Sequence, residues 1–382
     1  MIDQAKIRYN ILMLGMSYYD DWQNGIVNRN YFVLQELLAR DEVNSIISVD
    51  YLPLTWRTKL KAIQRRLAGH CSVKKLFIPQ IKIIDSKLTA VSFIKTGDTF
   101  NFLNELIQSR LSITGQRLIL WSYFPLFIEP FLRLPADYKI FDAVDDWSQH
   151  PAYRAKSQLL KHNYQQILQA ANLIFTVSDD LRKNLFAGSS KAYFVPNGTN
   201  IKPSLRPEPI IKRQPITVGY VGTIQSRIDF ELIEFIAKQH SDKQFVFVGP
   251  VWKDAQLSAL KKLPNVKFIG RVAFDKIGYY LTNFDVAIIP HKIDGLTKSM
   301  DPMKFYDYLS AGLPIISTQK IVDDPKLQYY APSANNFSQA INLSLRENNQ
   351  ELAAYRQAYS QQNSWRNRVE AMLKIISEKL ID

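Results

Sequence analysis

At 382 residues the chain is too long for one ordinary hydrophobic core and fits two domains of roughly 180 to 200 residues, while 46% apolar and 22% charged residues exclude extensive disorder. A net charge of +13 calls for an anionic partner, whether nucleic acid, a membrane surface or a phosphorylated substrate. The single cysteine, Cys71, excludes an internal disulfide and a cysteine-based metal cluster and suggests a reducing compartment.

Residues 1–10 are polar, and the apolar run 11–16 is too short for a signal-peptide core. No other stretch reaches the roughly 18 apolar residues that a membrane span needs, so a soluble or peripheral protein is expected. Residues 10–16 read as a first buried strand, 31–40 have helical spacing (Phe32, Leu34, Leu37, Leu38), and 45–50 read as a second strand. This rhythm predicts a parallel sheet with right-handed crossovers. It recurs with strands at 116–123, 138–144 and 172–178 and a helix over 153–171.

Residues 56–75 break the rhythm, carrying Arg57, Lys59, Lys61, Arg65, Arg66, Lys74 and Lys75 with no acidic residue. Trp56, Leu60, Ile63 and Leu67 share one helical face. The pattern predicts an amphipathic helix. It either lies on an anionic membrane, at roughly 1 kcal/mol per basic residue near the surface, or covers the domain core with its apolar face.

Four prolines and no periodicity mark 197–215 as irregular, and a second strand–helix series follows with strands at 216–220, 244–248, 266–269, 286–290 and 315–318. The expected organisation is a Rossmann-like domain over 1–200, a linker over 201–215, a second Rossmann-like domain over 216–364 and an amphipathic terminal helix over 365–382. Two such α/β domains would face each other across a cleft at the carboxyl ends of their strands.

The stretch 301–318, D-P-M-K-F-Y-D-Y-L-S-A-G-L-P-I-I-S-T, reads as a helix with Asp301 as N-cap and Pro302 in the first turn. Phe305, Tyr308 and Leu309 share a face, Gly312 ends the helix, and Pro314 forbids its continuation into the strand 315–318. Lys304 in the first turn opposes the helix dipole, and a bound anion would reverse the sign of that interaction. A solvated lysine on an ordinary surface helix is the other reading. Gly222 and Thr223 form the first strand-to-helix turn of the second domain, fit for close backbone approach to phosphate or for a plain tight turn. Arg227 in the same loop has the fork geometry for phosphate oxygens. Asp145 and Asp146 follow an apolar strand, and mutual repulsion with burial would suit one of them to general-base work; as ordinary residues they read as a loop residue and a helix N-cap.

D-P-M-K-F-Y-D-Y-L-S-A-G-L-P-I-I resembles the donor-nucleotide helix of GT-B-fold sugar-nucleotide glycosyltransferases, especially bacterial exopolysaccharide enzymes such as the xanthan glucuronosyltransferase. F-D-A-V-D-D-W-S (141–148), L-I-F-T-V-S-D-D-L (173–181), V-P-N-G-T-N (195–200), G-Y-V-G-T-I (219–224) and N-V-K-F-I-G-R (265–271) look like further landmarks of these enzymes in the right order. The likeness is loose over the first 120 residues and closer from Ile140 onward.

The resemblance implies that Lys304, with Met303 beside it, contacts the nucleotide diphosphate and that Gly222, Thr223 and Arg227 approach it. It implies that Asp307 holds ribose hydroxyls, that His291 contacts the donor and that Arg271 lies beside the base. Asp145 would be the catalytic base, Asp146 aligning with a glycine, and the terminal helix would cross back to the first domain. One departure stands out, because the paired glutamates of many retaining relatives are represented here by Ser299 and Asp307, which puts a retaining mechanism in doubt.

The implied function is transfer of a sugar from a nucleoside diphosphate donor (UDP or GDP) to a saccharide acceptor, lipid-linked, at the inner face of the cell membrane, with no metal, cofactor or nucleic acid. Arg57, Lys61 and Arg65 would meet the anionic membrane or the acceptor. A sugar-nucleotide 2-epimerase on the same fold and a non-catalytic basic binding protein are the alternatives.

Overall fold

The computed structural model describes residues 8–52, 56–68, 78–93, 99–111, 116–202 and 215–381, the side chains at 56–58, 61, 66 and 381 excepted. Cys71, Lys74, Lys75 and most of the expected linker lie outside the described residues. The chain divides into two compact units, one of Met1–Val195 with Met372–Asp382, the other Pro196–Ala371. Residues 196–200, expected in the first domain, belong to the second unit.

The first unit carries β1 (Arg8–Leu14), β2 (Val43–Val49), β3 (Gln80–Ile83), β4 (Leu88–Ser92), β5 (Gln116–Ser122), β6 (Tyr138–Ala143), β7 (Leu173–Thr176) and β8 (Ala192–Phe194). They lie in the order β3-β4-β2-β1-β5-β6-β7-β8, parallel throughout except for the pair β3–β4. β7 is buried at every residue and β1 at all but its first, as expected of parallel strands covered on both faces. β3, β4 and β8 were not foreseen, because they are short and mix polar with apolar residues, leaving no periodic signal.

The second unit carries β9 (Thr217–Val221), β10 (Gln244–Val248), β11 (Val266–Gly270), β12 (Val286–Ile289), β13 (Ile315–Ser317) and β14 (Tyr329–Tyr330). Their order is β11-β10-β9-β12-β13-β14 with every described pair parallel, so strand order reverses between β9 and β12. That is the doubly wound Rossmann order, whose ligands bind outside the carboxyl ends of the strands at the reversal.

Alternation along β12 builds two cores. Val286 and Ile288 pack with Ile233, Ile236 and Phe337 on one face, while Ala287 and Ile289 pack with Phe305, Tyr308 and Leu309 on the other. The second face carries the helix Met303–Ser310, which Tyr308 ties to β9 by accepting a hydrogen bond from Val221 N–H at 2.8 Å. Among the described residues, no helix is long and apolar enough to cross a membrane.

Candidate functional site

The reversal in the second sheet brings together the Gly222–Thr223 turn after β9, His291 after β12 and the start of the helix Met303–Ser310. Backbone hydrogen bonds zip the first two loops: Asp229 N–H donates to Pro290 O and Lys292 N–H to Arg227 O, each at 2.8 Å. Arg227 is thereby fixed beside His291. Its Nε and Nη2 donate to the Gln225 amide carbonyl when that amide is turned towards them. Its Nη1 meets Met300 Sδ at 3.4 Å.

The helix start differs from the sequence expectation. Pro302 is the N-cap residue, no side chain caps the helix, and Asp301 is drawn elsewhere. The Asp301 carboxylate accepts from Asn197 N–H at 2.6 Å and from Tyr306 O–H at 3.2 Å, and Asn197 Nδ2 donates to Asp301 O at 2.7 Å. A rigid neighbouring backbone donor outcompetes the cap, so the helix begins with its first-turn N–H groups uncapped by any side chain, which suits an anion. The same contacts explain why residues 196–200 belong to this unit. At the other end Gly312 adopts φ +69° as expected and the chain turns into β13.

Lys304 projects from the first turn towards Gly222, its Nζ 5.0 Å from the centre of the Tyr220 ring. It makes no ion pair among the described residues. Burial, reinforced by the Arg227 charge, pushes its pKa down to about 7 against the opposing pull of Asp307. His291 is 1% exposed and neither ring nitrogen has a partner. Burial, with Lys304 and Arg227 nearby, holds it neutral, well below the usual histidine range. Two basic side chains and an unpartnered imidazole therefore share one edge of the sheet, an arrangement that an anion would complete.

Asp307 lies one turn along the helix. Its Oδ1 accepts from Thr199 Oγ–H at 2.6 Å, and burial raises its pKa to about 7 although that bond and Lys304 oppose the shift. Ser299, at the other acidic position of the retaining pattern, is buried and bonds Leu296 O at 3.0 Å. Met303 and Thr223 are half-buried near the same edge, while Arg271, one residue past β11, is exposed.

In the first unit Asp145 is half-buried beyond β6, its backbone carbonyl accepting from Tyr164 O–H at 2.9 Å. Asp146 is not the N-cap that its position suggests. Its Oδ1 accepts from Ser148 N–H at 3.0 Å and Ser148 Oγ–H at 2.6 Å, a tight local turn, and His150 caps the next helical segment instead. Sequence reasoning also missed the buried pair Arg29–Asp142, at 2.9 Å; a charged residue inside the apolar strand β6 was the available signal.

The basic stretch forms the helix Trp56–Ala68, on which Arg57 and Lys61 lie. Of the expected apolar stripe, Leu60 and Leu67 are 47% and 49% exposed, while Ile63 is half-buried and packs against the buried Ala62. Arg65 pairs with Asp21 at 2.7 Å and stacks on Tyr18 at 4.1 Å, because those side chains lie within its reach on the same unit. Among the described residues no three His, Cys, Asp or Glu side chains cluster as metal ligands.

Residues 215–346 match the family model described as glycosyl transferases group 1. Over 225 residues the chain is 29% identical to the "Putative teichuronic acid biosynthesis glycosyltransferase TuaH" of Bacillus subtilis (strain 168). The match spans 54% of this chain and 57% of that protein, little more than half of each. The fold is shared with sucrose-phosphate synthase from Thermosynechococcus elongatus (TM-score 0.71, 13% identity, 98% of this chain and 100% of that one). It is also shared with HepE of Anabaena, solved with UDP and glucose (TM-score 0.63, 14% identity, 96% and 99%). The two Rossmann-like units thus have the GT-B fold.

Proposed function

We propose, for a chain whose residues 215–346 form a group 1 glycosyl transferase domain, that the protein moves a sugar from a nucleoside diphosphate donor to a saccharide acceptor in polysaccharide biosynthesis. The observation that carries this reading is the uncapped start of the helix Met303–Ser310 with Lys304, Arg227 and the unpartnered His291 around it. Such an edge favours charge that develops on a departing diphosphate. Two unit charges about 4 Å apart at an effective dielectric near 20 interact by about 4 kcal/mol, enough for one lysine to matter.

The donor is a UDP- or GDP-sugar, and the UDP complex of HepE favours the former. Asp307 has an Oδ2 with no partner among the described residues and offers it to the ribose hydroxyls. In the transfer, the acceptor oxygen bonds to the anomeric carbon as the bond from that carbon to the diphosphate breaks. Asp145 takes the hydroxyl proton, attack on the face opposite the diphosphate gives inversion, and the diphosphate leaves onto Lys304, Arg227 and the helix dipole without a metal. The exposed leucines of the helix Trp56–Ala68 and its basic, acid-free sequence support docking on an anionic membrane, where a lipid-linked acceptor would be met.

A thermal-shift series with UDP, GDP, ADP and TDP tests the reading. A ligand at 100 times its Kd adds about 2.7 kcal/mol of stability, so UDP or GDP should raise Tm clearly. No shift with any of the four would overturn it.

A further inference from the structure

We propose that the first unit holds a saccharide-binding pocket at the carboxyl ends of β2 and β4, in which the Asp50 carboxyl group accepts hydrogen bonds from sugar hydroxyls. The proposal rests on the transferase reading and deepens it by giving the acceptor sugar a site. A cavity of about 390 Å³ opens here, lined by Tyr18, Asp50, Arg65, Gln80, Lys82 and Phe93 among others. That volume lies within the ~300–1,000 Å³ usual for small-molecule sites.

Asp50 is the first residue beyond β2. Its Oδ1 accepts from Tyr19 N–H at 2.7 Å, which fixes the plane of the carboxyl group, and its Oδ2 takes no hydrogen bond among the described residues. The surrounding charges select the ligand class. Arg65 is engaged by Asp21 at 2.7 Å and Lys82 by Asp20 at 2.8 Å, so an anion would find neither cation free of a counter-charge. One unpartnered carboxyl group is too few oxygens for a hard divalent cation such as Ca²⁺ or Mg²⁺, which takes six or more ligands, and no three His, Cys, Asp or Glu side chains cluster among the described residues. A cationic ligand would find Asp50 as the carboxyl group without a counter-charge, and burial pushes that group up to about 7, halving the charge on offer near neutrality. What remains is a neutral ligand rich in O–H donors. The rings of Tyr18, held in place by Arg65 stacked at 4.1 Å, and of Phe93 supply apolar wall for the C–H face of a pyranose.

The test is saturation-transfer NMR on the full chain with methyl pyranosides of glucose, galactose, N-acetylglucosamine and glucuronic acid, alongside UDP thermal shifts. At least one pyranoside should give signals. Asp50→Asn keeps an acceptor for Tyr19 N–H but turns the free oxygen into a donor, and Ile81→Trp narrows the cavity from an exposed edge position. Each should weaken pyranoside binding at least tenfold and leave the UDP shift unchanged. No pyranoside signal from wild-type protein that responds to UDP, or undiminished binding in both variants, overturns the pocket. Pyranoside binding without any UDP response supports the pocket and overturns the transferase reading.

Discussion

Lys304 lies directly against Gly222: a Cβ at residue 222 would stand 3.0 Å from Lys304 Cε and 3.4 Å from its Nζ. Gly222 also adopts φ +133°, a conformation that costs a side-chain-bearing residue about 1–3 kcal/mol. Gly222→Ala should therefore displace the ammonium and weaken nucleoside diphosphate binding by roughly 10- to 100-fold, as should Lys304→Ala, each tenfold being about 1.4 kcal/mol. Calorimetry decides, and unchanged affinity in both variants would remove the phosphate role.

Binding should also depend on pH with a definite sign. Lys304 loses its proton near pH 7 in the free protein, and Arg227, neutral His291 and Asp307 are the titratable groups around it. A bound diphosphate raises the lysine pKa, so the complex holds a proton that the free protein sheds. Affinity should fall about tenfold between about pH 6 and 8. Asp307 ionises in the same window and adds repulsion of the same sign. Lys304→Arg, charged throughout, should flatten the lysine contribution. Calorimetry in buffers of different ionisation enthalpy would reveal proton uptake, and a flat profile for wild type would contradict the account.

Asp145→Asn separates mechanisms. It keeps size and hydrogen bonding but cannot accept a proton, so transfer should drop about 100-fold or more with donor affinity unchanged. Near wild-type turnover would defeat the base assignment. A product anomer matching the donor, read by NMR, would defeat inversion even if turnover fell.

The Arg29–Asp142 pair makes a stability prediction. Both side chains are buried, and burial raises the Asp142 pKa with Arg29 pulling it back. Arg29→Met leaves that carboxyl group uncompensated and should cost about 3–5 kcal/mol, whereas the double change with Asp142→Leu should recover most of the loss. Urea unfolding of the single and double variants checks it, a double variant as unstable as the single one being the contrary result.

For the helix Trp56–Ala68, reversing Arg57 and Lys61 to Glu together with Leu60→Ser should abolish co-sedimentation with anionic vesicles. Arg65 is left intact, because a glutamate there would face Asp21. Persistent binding, or none by wild type, would remove the membrane role.

The sequence by itself determined the parallel-sheet architecture, since a buried parallel strand such as β12 is an unbroken apolar run that a reading of the sequence detects. It determined the helix that follows Pro302 and its stop at Gly312, because these are local backbone signals. It also singled out Lys304 as a cation out of place. Only the tertiary structure decided what those residues touch. Asp301 looked like a cap until the backbone of Asn197, 104 residues earlier, took its carboxylate. His291 could have been a surface histidine until its nitrogens were found buried and unpartnered. Arg65 read as one more surface cation, yet it is spent on Asp21, 44 residues away. Asp50 carried no motif at all; its role follows from lying at the end of β2 beside β4, with its neighbouring cations already paired. Such pairings depend on contacts between residues distant in the chain, and local propensity carries no record of them.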